Sequence, residues 1–310
     1  MNMADPRKSF GEALLEIGKE MPNVLAISAD SSSGSGLTPF EQHFPERHIE
    51  FGIMEQGVIG YSAGLATTGK IPFVVAIAPF LTSRPFEMVR NDVGYMKQNV
   101  KIVGRCAGMS YSDLGPTHHS LEDIAILRTI PGFTVIAPSD PIEIKAAAWA
   151  AAKMNGPVYI RIGKDKMEIF NDNPDYTFEI GKGVTLREGS DATIIATGVT
   201  VYKSLQAADM LAAKGIKVRV VNLHTLKPVD EEIIIKAAKE TGRIVTVEEN
   251  YLAGGLGSIV AEVTSQYAPV PIKMIGVKDQ FASNGPYDEL LALYNLHPEG
   301  IVKETEAFLK

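Results

Sequence analysis

The chain has 310 residues and a formal net charge of −7, and 45% of its residues are hydrophobic. Its length exceeds what one hydrophobic core usually organises, its acidic balance argues against nucleic-acid binding, and no apolar run is long enough for a membrane span. The N-terminus has no signal-peptide core and Cys106 is the only cysteine, so we expect a soluble cytoplasmic protein of two domains.

In the first half of the chain, apolar strand-like runs alternate with amphipathic helical patterns. Short aliphatic runs such as VLAISAD are typical of strands buried on both faces. We predict strands at 24–30, 48–53, 71–78, 100–106, 133–138 and 157–163, and helices at 8–20, 55–68, 85–98, from Ser120 onward and at 143–154. The Ser/Gly-rich segment 31–36 is predicted to be a loop.

A polar stretch separates this half from a second series of the same kind. We predict strands at 192–198, 217–223, 243–250 and 271–277, and helices at 200–214, 230–241, 255–266 and the C-terminus. This alternation predicts the α/β class, with two doubly wound domains whose parallel sheets carry helices on both faces. The predicted boundaries are 1–165 for the first domain, 166–189 for a linker and 190–310 for the second domain.

The stretch 49–69, IEFGIMEQGVIGYSAGLATTG, places a carboxylate where a strand gives way to a helix. One interpretation is that Glu55 only complements the dipole of that helix. The other is a buried carboxyl that faces a cleft between subunits, with small residues on the helix allowing another backbone to approach. Asp30, Phe80 and the 106–119 loop also follow strand ends, where ligands of such folds bind, and this convergence favours the second interpretation.

The segment GPTHHS at 115–120 is the second candidate for chemistry. A helix beginning near Ser120 would point its amide groups at this loop, which favours an anion there and a neutral imidazole on His118. The alternative is a pair of solvent-facing histidines. Neither histidine has a partner at the spacing of a zinc site, and we predict no metal site in this chain. The glycines of GGLGS at 254–258 do not complete a dinucleotide-binding fingerprint, because Val260 stands at the third glycine position.

Four segments together closely resemble transketolase: IEFGIMEQGVIGYSAGLATTG, SDLGPTHHSLEDIAILRTIPG, PVYIRIG, and the run from KPVDEEII to IVTVEENYLAGGLGS. The similarity covers essentially the whole chain and is to the C-terminal section that forms a separate subunit in two-gene transketolases. It implies a pyrimidine-binding domain, a transketolase C-terminal domain and thiamine diphosphate as cofactor.

The resemblance also explains an absent motif. Enzymes of this kind hold Mg²⁺ and the diphosphate with a GDG motif and a downstream Asn, and this chain has no GDG. The resemblance therefore implies an N-terminal-section partner subunit that carries GDG…N and the Mg²⁺ ligands. It also implies an α2β2 heterotetramer and no activity of this chain alone.

Five positions correspond to family residues at the cofactor. Glu55 matches the glutamate that hydrogen-bonds the aminopyrimidine nitrogen and shares a proton with it. Phe80 matches an aromatic residue that packs on the pyrimidine ring, and Asp30 matches an aspartate near the thiazolium end. Ile77 and Ser83 fall where other members carry aromatic residues.

Five further positions correspond to family residues at the sugar phosphate. His118 matches the histidine that contacts the donor's hydroxyl group. Arg7 and Arg161 match two arginines that clamp the phosphate. Leu114 replaces an aspartate that binds a sugar hydroxyl, and Cys106 replaces a phosphate-contacting histidine. Because catalytic groups are kept while sugar-binding groups change, we predict a branched or otherwise modified ketose phosphate as donor.

These inferences predict the C-terminal subunit of a transketolase that moves a two-carbon ketol group from a ketose phosphate to an aldose or ketose phosphate. The nearest alternative is the β subunit of a 2-oxo-acid dehydrogenase E1 component, which shares the domain pair and the cofactor glutamate. A non-catalytic scaffold subunit is the alternative from a different class. The joint presence of Glu55, Phe80 and His118 argues against the scaffold.

Overall fold

The computed structural model describes residues 2–171 and 176–310, which form two α/β halves as predicted. The strands are β1 (Met3–Ala4), β2 (Val24–Ser28), β3 (His48–Glu50), β4 (Ile71–Ile77), β5 (Lys101–Arg105), β6 (Thr134–Ile136), β7 (Val158–Arg161), β8 (Met167–Glu168), β9 (Val184–Arg187), β10 (Ala192–Ala196), β11 (Val218–Asn222), β12 (Thr225–Lys227), β13 (Ile244–Tyr251) and β14 (Ile272–Val277). The helices are α1 (Pro6–Glu20), α2 (Thr38–His43), α3 (Glu55–Ala66), α4 (Ala78–Thr82), α5 (Phe86–Met88), α6 (Asp123–Arg128), α7 (Pro141–Lys153), α8 (Thr200–Ala212), α9 (Glu231–Thr241), α10 (Leu256–Tyr267), α11 (Tyr287–Leu293) and α12 (Pro298–Leu309). Short 3₁₀ turns lie at Ser33–Ser35, Pro45–Arg47 and Gly115–Thr117, and Val89–Tyr95 is π-helical.

The first domain is built on a seven-stranded sheet in the order β12-β6-β7-β5-β4-β2-β3. All neighbouring strands in it are parallel except β12 and β6. Helices α1 and α7 pack on one face through side chains such as Phe10 and Ile144, and α3 packs on the other through Val58 and Ile59. Burial from both faces accounts for the nearly unbroken apolar sequences of β2 and β4.

The second domain has a five-stranded sheet in the order β14-β13-β10-β11-β9. The strands are parallel except for β9, which runs antiparallel along β11 at one edge. Asp230 begins α9 by accepting a hydrogen bond from the Ile233 amide, as an N-cap residue does. Asp5 and Asp140 begin α1 and α7 in the same way.

The two domains share a strand and a core. Strand β12 follows β11 of the second sheet in the chain, yet it pairs with β6 and forms the edge of the first sheet. One cluster of buried apolar residues runs continuously from Leu127 of the first domain to Leu226 and Ile259 of the second. Within residues 2–171 and 176–310, no helix combines the length and apolar character that a membrane span requires.

Several predicted elements need correction. The predicted linker, 166–189, contains β8, which pairs with β1, and β9, which belongs to the second sheet. Residues 172–175 of that linker lie outside the described residues. The predicted helix 85–98 is α-helical only over three residues and continues as the π-helical segment, because an apolar repeat over so few turns does not separate a helical period of 3.6 from a wider one.

The helix predicted from Ser120 begins three residues later, at Asp123. The backbone of Ser120 instead pairs with Gly108 in an isolated β-bridge, so it is not available to begin a helix. Helix α6 has six residues and no side-chain cap. The predicted helix start at Ser120 is therefore wrong.

Candidate active site

A cavity of about 440 Å³ lies at the carboxyl ends of β2 and β4. Four of the predicted cofactor residues line it: Asp30, Glu55, Ile77 and Phe80. Parallel strands end at the same edge of a sheet, so residues distant in sequence meet there.

Glu55 is the first residue of α3, and it is only 5% exposed. Its Oε2 atom lies 2.8 Å from Nη1 of Arg84, a side chain that is 43% exposed. Dipole compensation does not require burial, so the position of Glu55 inside the cavity favours a functional role over a purely structural one.

The ring of Phe80 forms an aromatic wall beside Glu55. The Arg84 guanidinium carbon lies 4.2 Å from the centre of this ring, which is the geometry of a cation–π contact. The His118 ring meets Phe80 edge-on, with 5.1 Å between centroids, and Tyr111 packs against His118 at 5.4 Å. The wall is therefore assembled from α4 and from the 106–119 loop.

Asp30, which lines the cavity, and Cys106, which follows the lining residue Arg105, hold a strained backbone conformation. Asp30 and Cys106, which follow β2 and β5, both have a φ of +55°. This left-handed conformation is unusual for a side chain other than glycine and is concentrated at functional sites. The Asp30 amide donates a 2.5 Å hydrogen bond to the Glu50 carboxylate. Burial alone would raise the pKa of Glu50, but the hydrogen bonds from the Asp30 and Gly52 amides lower it below its usual value.

Cys106 is 1% exposed, and burial raises the pKa of its thiol. The Arg105 guanidinium donates to Sγ of Cys106 at 3.3 Å and to Ser35 at 2.9 Å, and Arg105 also lines the cavity. A buried neutral thiol is a weak nucleophile, so Cys106 is better suited to packing beside Arg105 than to attacking a substrate.

The 106–119 loop carries the other predicted substrate residues. His118 is partly buried, and its Nδ1 lies 3.0 Å from the Thr117 hydroxyl. Leu114 is 44% exposed. Lys164 approaches the loop from the end of β7, with Nζ 4.4 Å from the centre of the Tyr111 ring.

Cys106, Leu114 and His118 do not line the cavity, and neither do the three remaining predicted residues, Arg7, Ser83 and Arg161. Arg7 is bound to Asp5, with Nη2 2.7 Å from Oδ2, and this hydrogen bond raises the pKa of the guanidinium. Ser83 is exposed, and its hydroxyl donates to Glu122 at 2.8 Å. The third residue, Arg161, is buried where the two domains meet.

In this structure Arg161 binds protein groups, and its role as a phosphate clamp stays a prediction. It is 6% exposed, and its Nε donates to Asp123 at 2.9 Å. Its Nη2 donates to the backbone oxygens of Ser120 and Glu249, at 3.1 and 2.7 Å, and so joins the two domains. The sequence PVYIRIG indicates a buried strand but does not reveal the carboxylate that pairs with this arginine.

Four residues at or near the cavity were missed from the sequence: Arg84, Arg105, Tyr111 and Lys164. Position could have indicated three of them, since Arg105 is the last residue of β5 and Tyr111 and Lys164 lie in the loops after β5 and β7, whereas Arg84 follows α4. The described part of the chain contains no group of three or more His, Cys, Asp or Glu residues able to hold a metal ion.

An exposed apolar surface lies next to Glu55. Ile53 is 75% exposed, and Met54 and Tyr61 are each 49% exposed. Two further exposed apolar side chains, Tyr95 and Met96, lie at the end of the π-helical segment that packs on α3. Gly64 of α3 faces open space, since an added Cβ would meet no atom within 4 Å. Large apolar side chains exposed together mark an interaction surface.

Comparison with known proteins gives consistent matches over the whole chain. The model of the transketolase pyrimidine-binding domain matches residues 2–168, and that of the transketolase C-terminal domain matches residues 181–301. One subunit of the apulose-4-phosphate transketolase of Phocaeicola vulgatus is 43% identical over all of this chain and 99% of that protein. A subunit of the 6-deoxy-6-sulfo-D-fructose transketolase of a Clostridium species is 40% identical over 96% of this chain and 92% of that protein. A solved structure, described as a split gene transketolase in an inactive beta4 tetramer, superposes with a TM-score of 0.91 at 41% identity over 98% of both chains.

Proposed function

The chain belongs to the transketolase family, as a C-terminal-section subunit of the split type, and from this premise we propose that it completes an active site with an N-terminal-section subunit. The reaction is the transfer of a two-carbon ketol group from a ketose phosphate to an aldose or ketose phosphate. Thiamine diphosphate, when bound, supplies the stabilised carbanion equivalent for breaking and making the carbon–carbon bond.

One observation carries the proposal: Glu55 is buried in a cavity whose wall is Phe80 and whose rim continues into an exposed apolar surface. A flat aminopyrimidine ring would lie between the carboxyl of Glu55 and the face of Phe80, with Ile77 alongside, in place of the Arg84 guanidinium. Glu55 would share its carboxyl proton with the ring nitrogen, and His118, in edge contact with Phe80, would face the sugar bound beyond it.

The partner subunit would supply the Mg²⁺ ligands, because the described residues offer no metal cluster of their own. Its docking face would be the apolar surface beside Glu55. Gly64 supports this, since a mid-helix glycine costs about 1 kcal/mol relative to alanine and nothing in the described part of this chain requires its small size. We propose an α2β2 assembly in the cytoplasm.

The donor would be a modified ketose phosphate. Leu114 supports this, because an exposed apolar side chain replaces a hydroxyl-binding aspartate in the loop that carries His118. Two relatives are named for an apulose phosphate and for a sulfonated deoxyfructose, which are both non-standard sugars.

The decisive experiment combines this chain with an N-terminal-section subunit that carries GDG…N, in the presence of thiamine diphosphate and Mg²⁺. We expect turnover from the mixture and none from either subunit alone. Glu55→Gln should fold and assemble but lose turnover by orders of magnitude. A Glu55→Gln complex of unchanged activity would indicate that Glu55 takes no part in the reaction and would contradict the proposal.

The donor is tested in parallel with xylulose 5-phosphate, apulose 4-phosphate and 6-deoxy-6-sulfofructose. Full activity on the ordinary pentose and none on the others would refute a modified donor. The 2-oxo-acid dehydrogenase alternative is not favoured, because both matched family models are those of transketolase domains and the two relatives described above are transketolase subunits. Release of carbon dioxide from a 2-oxo acid would reinstate it.

A further inference from the structure

We propose that the second domain positions the 106–119 loop for sugar binding, and that Glu249 is the positioning residue that connects the two. This inference rests on the proposed function, because it assigns the second domain a role in the same site. Glu249 touches neither the proposed cofactor nor the sugar, and it acts on His118 only through the loop.

The backbone of the loop is fixed near its two ends, and between them side chains of the first domain contact it: Lys164 pairs with Asp113 at 3.5 Å, and Phe80 meets the His118 ring. The Ala107 amide donates to the backbone oxygen of Ile162 at 3.0 Å, and the bridge between Gly108 and Ser120 closes the loop with hydrogen bonds of 3.1 and 2.9 Å. Between these points the chain leaves the sheet and passes along the second domain.

Three backbone groups of the loop region bind the second domain directly. Oε1 of Glu249 accepts a 2.7 Å hydrogen bond from the Met109 amide. The backbone oxygen of Ser112 accepts from the Gly285 amide at 3.1 Å, and that of Leu121 accepts from the Tyr251 amide at 2.8 Å. A loop bonded along its length to a second rigid body keeps one conformation, which a binding site requires.

Close packing reinforces the contact at Glu249. Gly108 has a φ of +66°, and a Cβ added to it would lie 2.3 Å from the Glu249 carboxyl group. The carboxyl therefore occupies the space that a side chain at position 108 would need.

Glu249 is held in place from both sides. It is 2% exposed, and its backbone oxygen accepts the 2.7 Å hydrogen bond from Arg161. Burial raises its pKa to about 7, although the charge of Arg161 opposes this shift. The Tyr287 hydroxyl of the second domain also interacts with this carboxyl. A buried carboxyl is costly to the fold, and its hydrogen bond with the Met109 amide across the domain boundary is one reason for its retention.

The neighbouring residue provides a matched control. Glu248 is also fully buried, and burial also raises its pKa to about 7. Its carboxyl, however, accepts hydrogen bonds from the Leu256 and Gly257 amides at 2.6 and 2.8 Å, and so holds the first turn of α10 within its own domain. The two glutamates thus share burial and differ in what they hold.

The test measures amide hydrogen exchange of loop peptides in the purified chain, with Glu249→Ala, Glu249→Gln and Glu248→Ala as variants. Loss of a buried hydrogen bond should speed exchange in residues 107–120 by roughly tenfold in Glu249→Ala. Glu249→Gln keeps an acceptor oxygen and should restore protection. Glu248→Ala should loosen α10 and leave the loop protected.

In the complex with the partner subunit, Glu249→Ala should raise KM for the donor sugar by roughly tenfold, because the loop loses its hydrogen bond to Glu249. The affinity for thiamine diphosphate should stay unchanged. Unchanged loop exchange in Glu249→Ala, or equal loosening by Glu248→Ala, would overturn the inference. If Glu249→Ala does not fold, Gly108→Ala breaks the same contact from the loop side. An inactive wild-type complex with the expected exchange pattern would contradict the proposed function alone.

Discussion

Arg84 occupies both contacts that the proposed aminopyrimidine ring would make. Its guanidinium pairs with Glu55 at 2.8 Å and lies 4.2 Å from the centre of the Phe80 ring. A ring that lies between Glu55 and Phe80 must displace it. We therefore predict that Arg84→Met binds thiamine diphosphate more tightly than the wild type.

The magnitude follows from the two contacts that are given up. Arg84 is 43% exposed, so its ion pair is worth no more than about 1 kcal/mol, as for other solvent-screened pairs. The cation–π contact adds about 0.5–1 kcal/mol. Together they correspond to roughly 3- to 30-fold tighter binding.

The assay is calorimetric titration of thiamine diphosphate into the reconstituted complex at saturating Mg²⁺. Arg90→Met is the control for loss of one positive charge, because Arg90 is exposed and does not line the cavity. Unchanged or weaker binding by Arg84→Met would refute the reasoning, since it would mean that Arg84 stays with Glu55 and helps to hold the cofactor.

Four further predictions concern stability, specificity and assembly. Lys101 is fully buried, and burial lowers its pKa from 10.5 to about 7, so between these pH values only the unfolded chain carries its proton. The free energy of unfolding should therefore rise above pH 7 by up to about 1.4 kcal/mol per pH unit. Chemical denaturation at several pH values should show this rise in the wild type and not in Lys101→Met. Arg161→Met leaves Asp123 buried without its partner and should lower the free energy of unfolding by about 3–5 kcal/mol in urea titrations, whereas a change below about 1 kcal/mol would contradict the assigned interdomain role. Leu114→Asp should raise kcat/KM for xylulose 5-phosphate relative to the modified donors, and an unchanged ratio would remove Leu114 from donor selection. Tyr61→Glu should leave the thermal stability of this chain intact but prevent co-purification with the partner subunit, and normal assembly would exclude the surface beside Glu55 as the docking face.

Sequence patterns predicted the features that depend on local periodicity and on strand ends. Buried parallel strands are continuous apolar runs, so β2 and β4 were recognised, and the residues after such strands had to meet at one edge of the sheet. That is how Glu55 and Phe80 were expected together, and the structure does bring them to one cavity. Their roles toward a cofactor stay predictions.

Features that depend on contacts distant in sequence were not predictable in this way. Nothing in the neighbourhood of Arg161 reveals that Asp123 binds it, and nothing in SLED reveals that Ser120 pairs with Gly108. Arg84 was missed for the same reason, since its importance arises only from its contacts with Glu55 and Phe80.

Strand β12 makes the two domains inseparable in practice. A proteolytic nick in the connecting segment would leave the C-terminal fragment still hydrogen-bonded along β6, so both fragments should co-elute from a sizing column. Expressing residues 1–165 alone would instead uncover the β6 edge and invite aggregation. Any protein engineered to contain the first domain without the second therefore has to include Thr225–Lys227 as well.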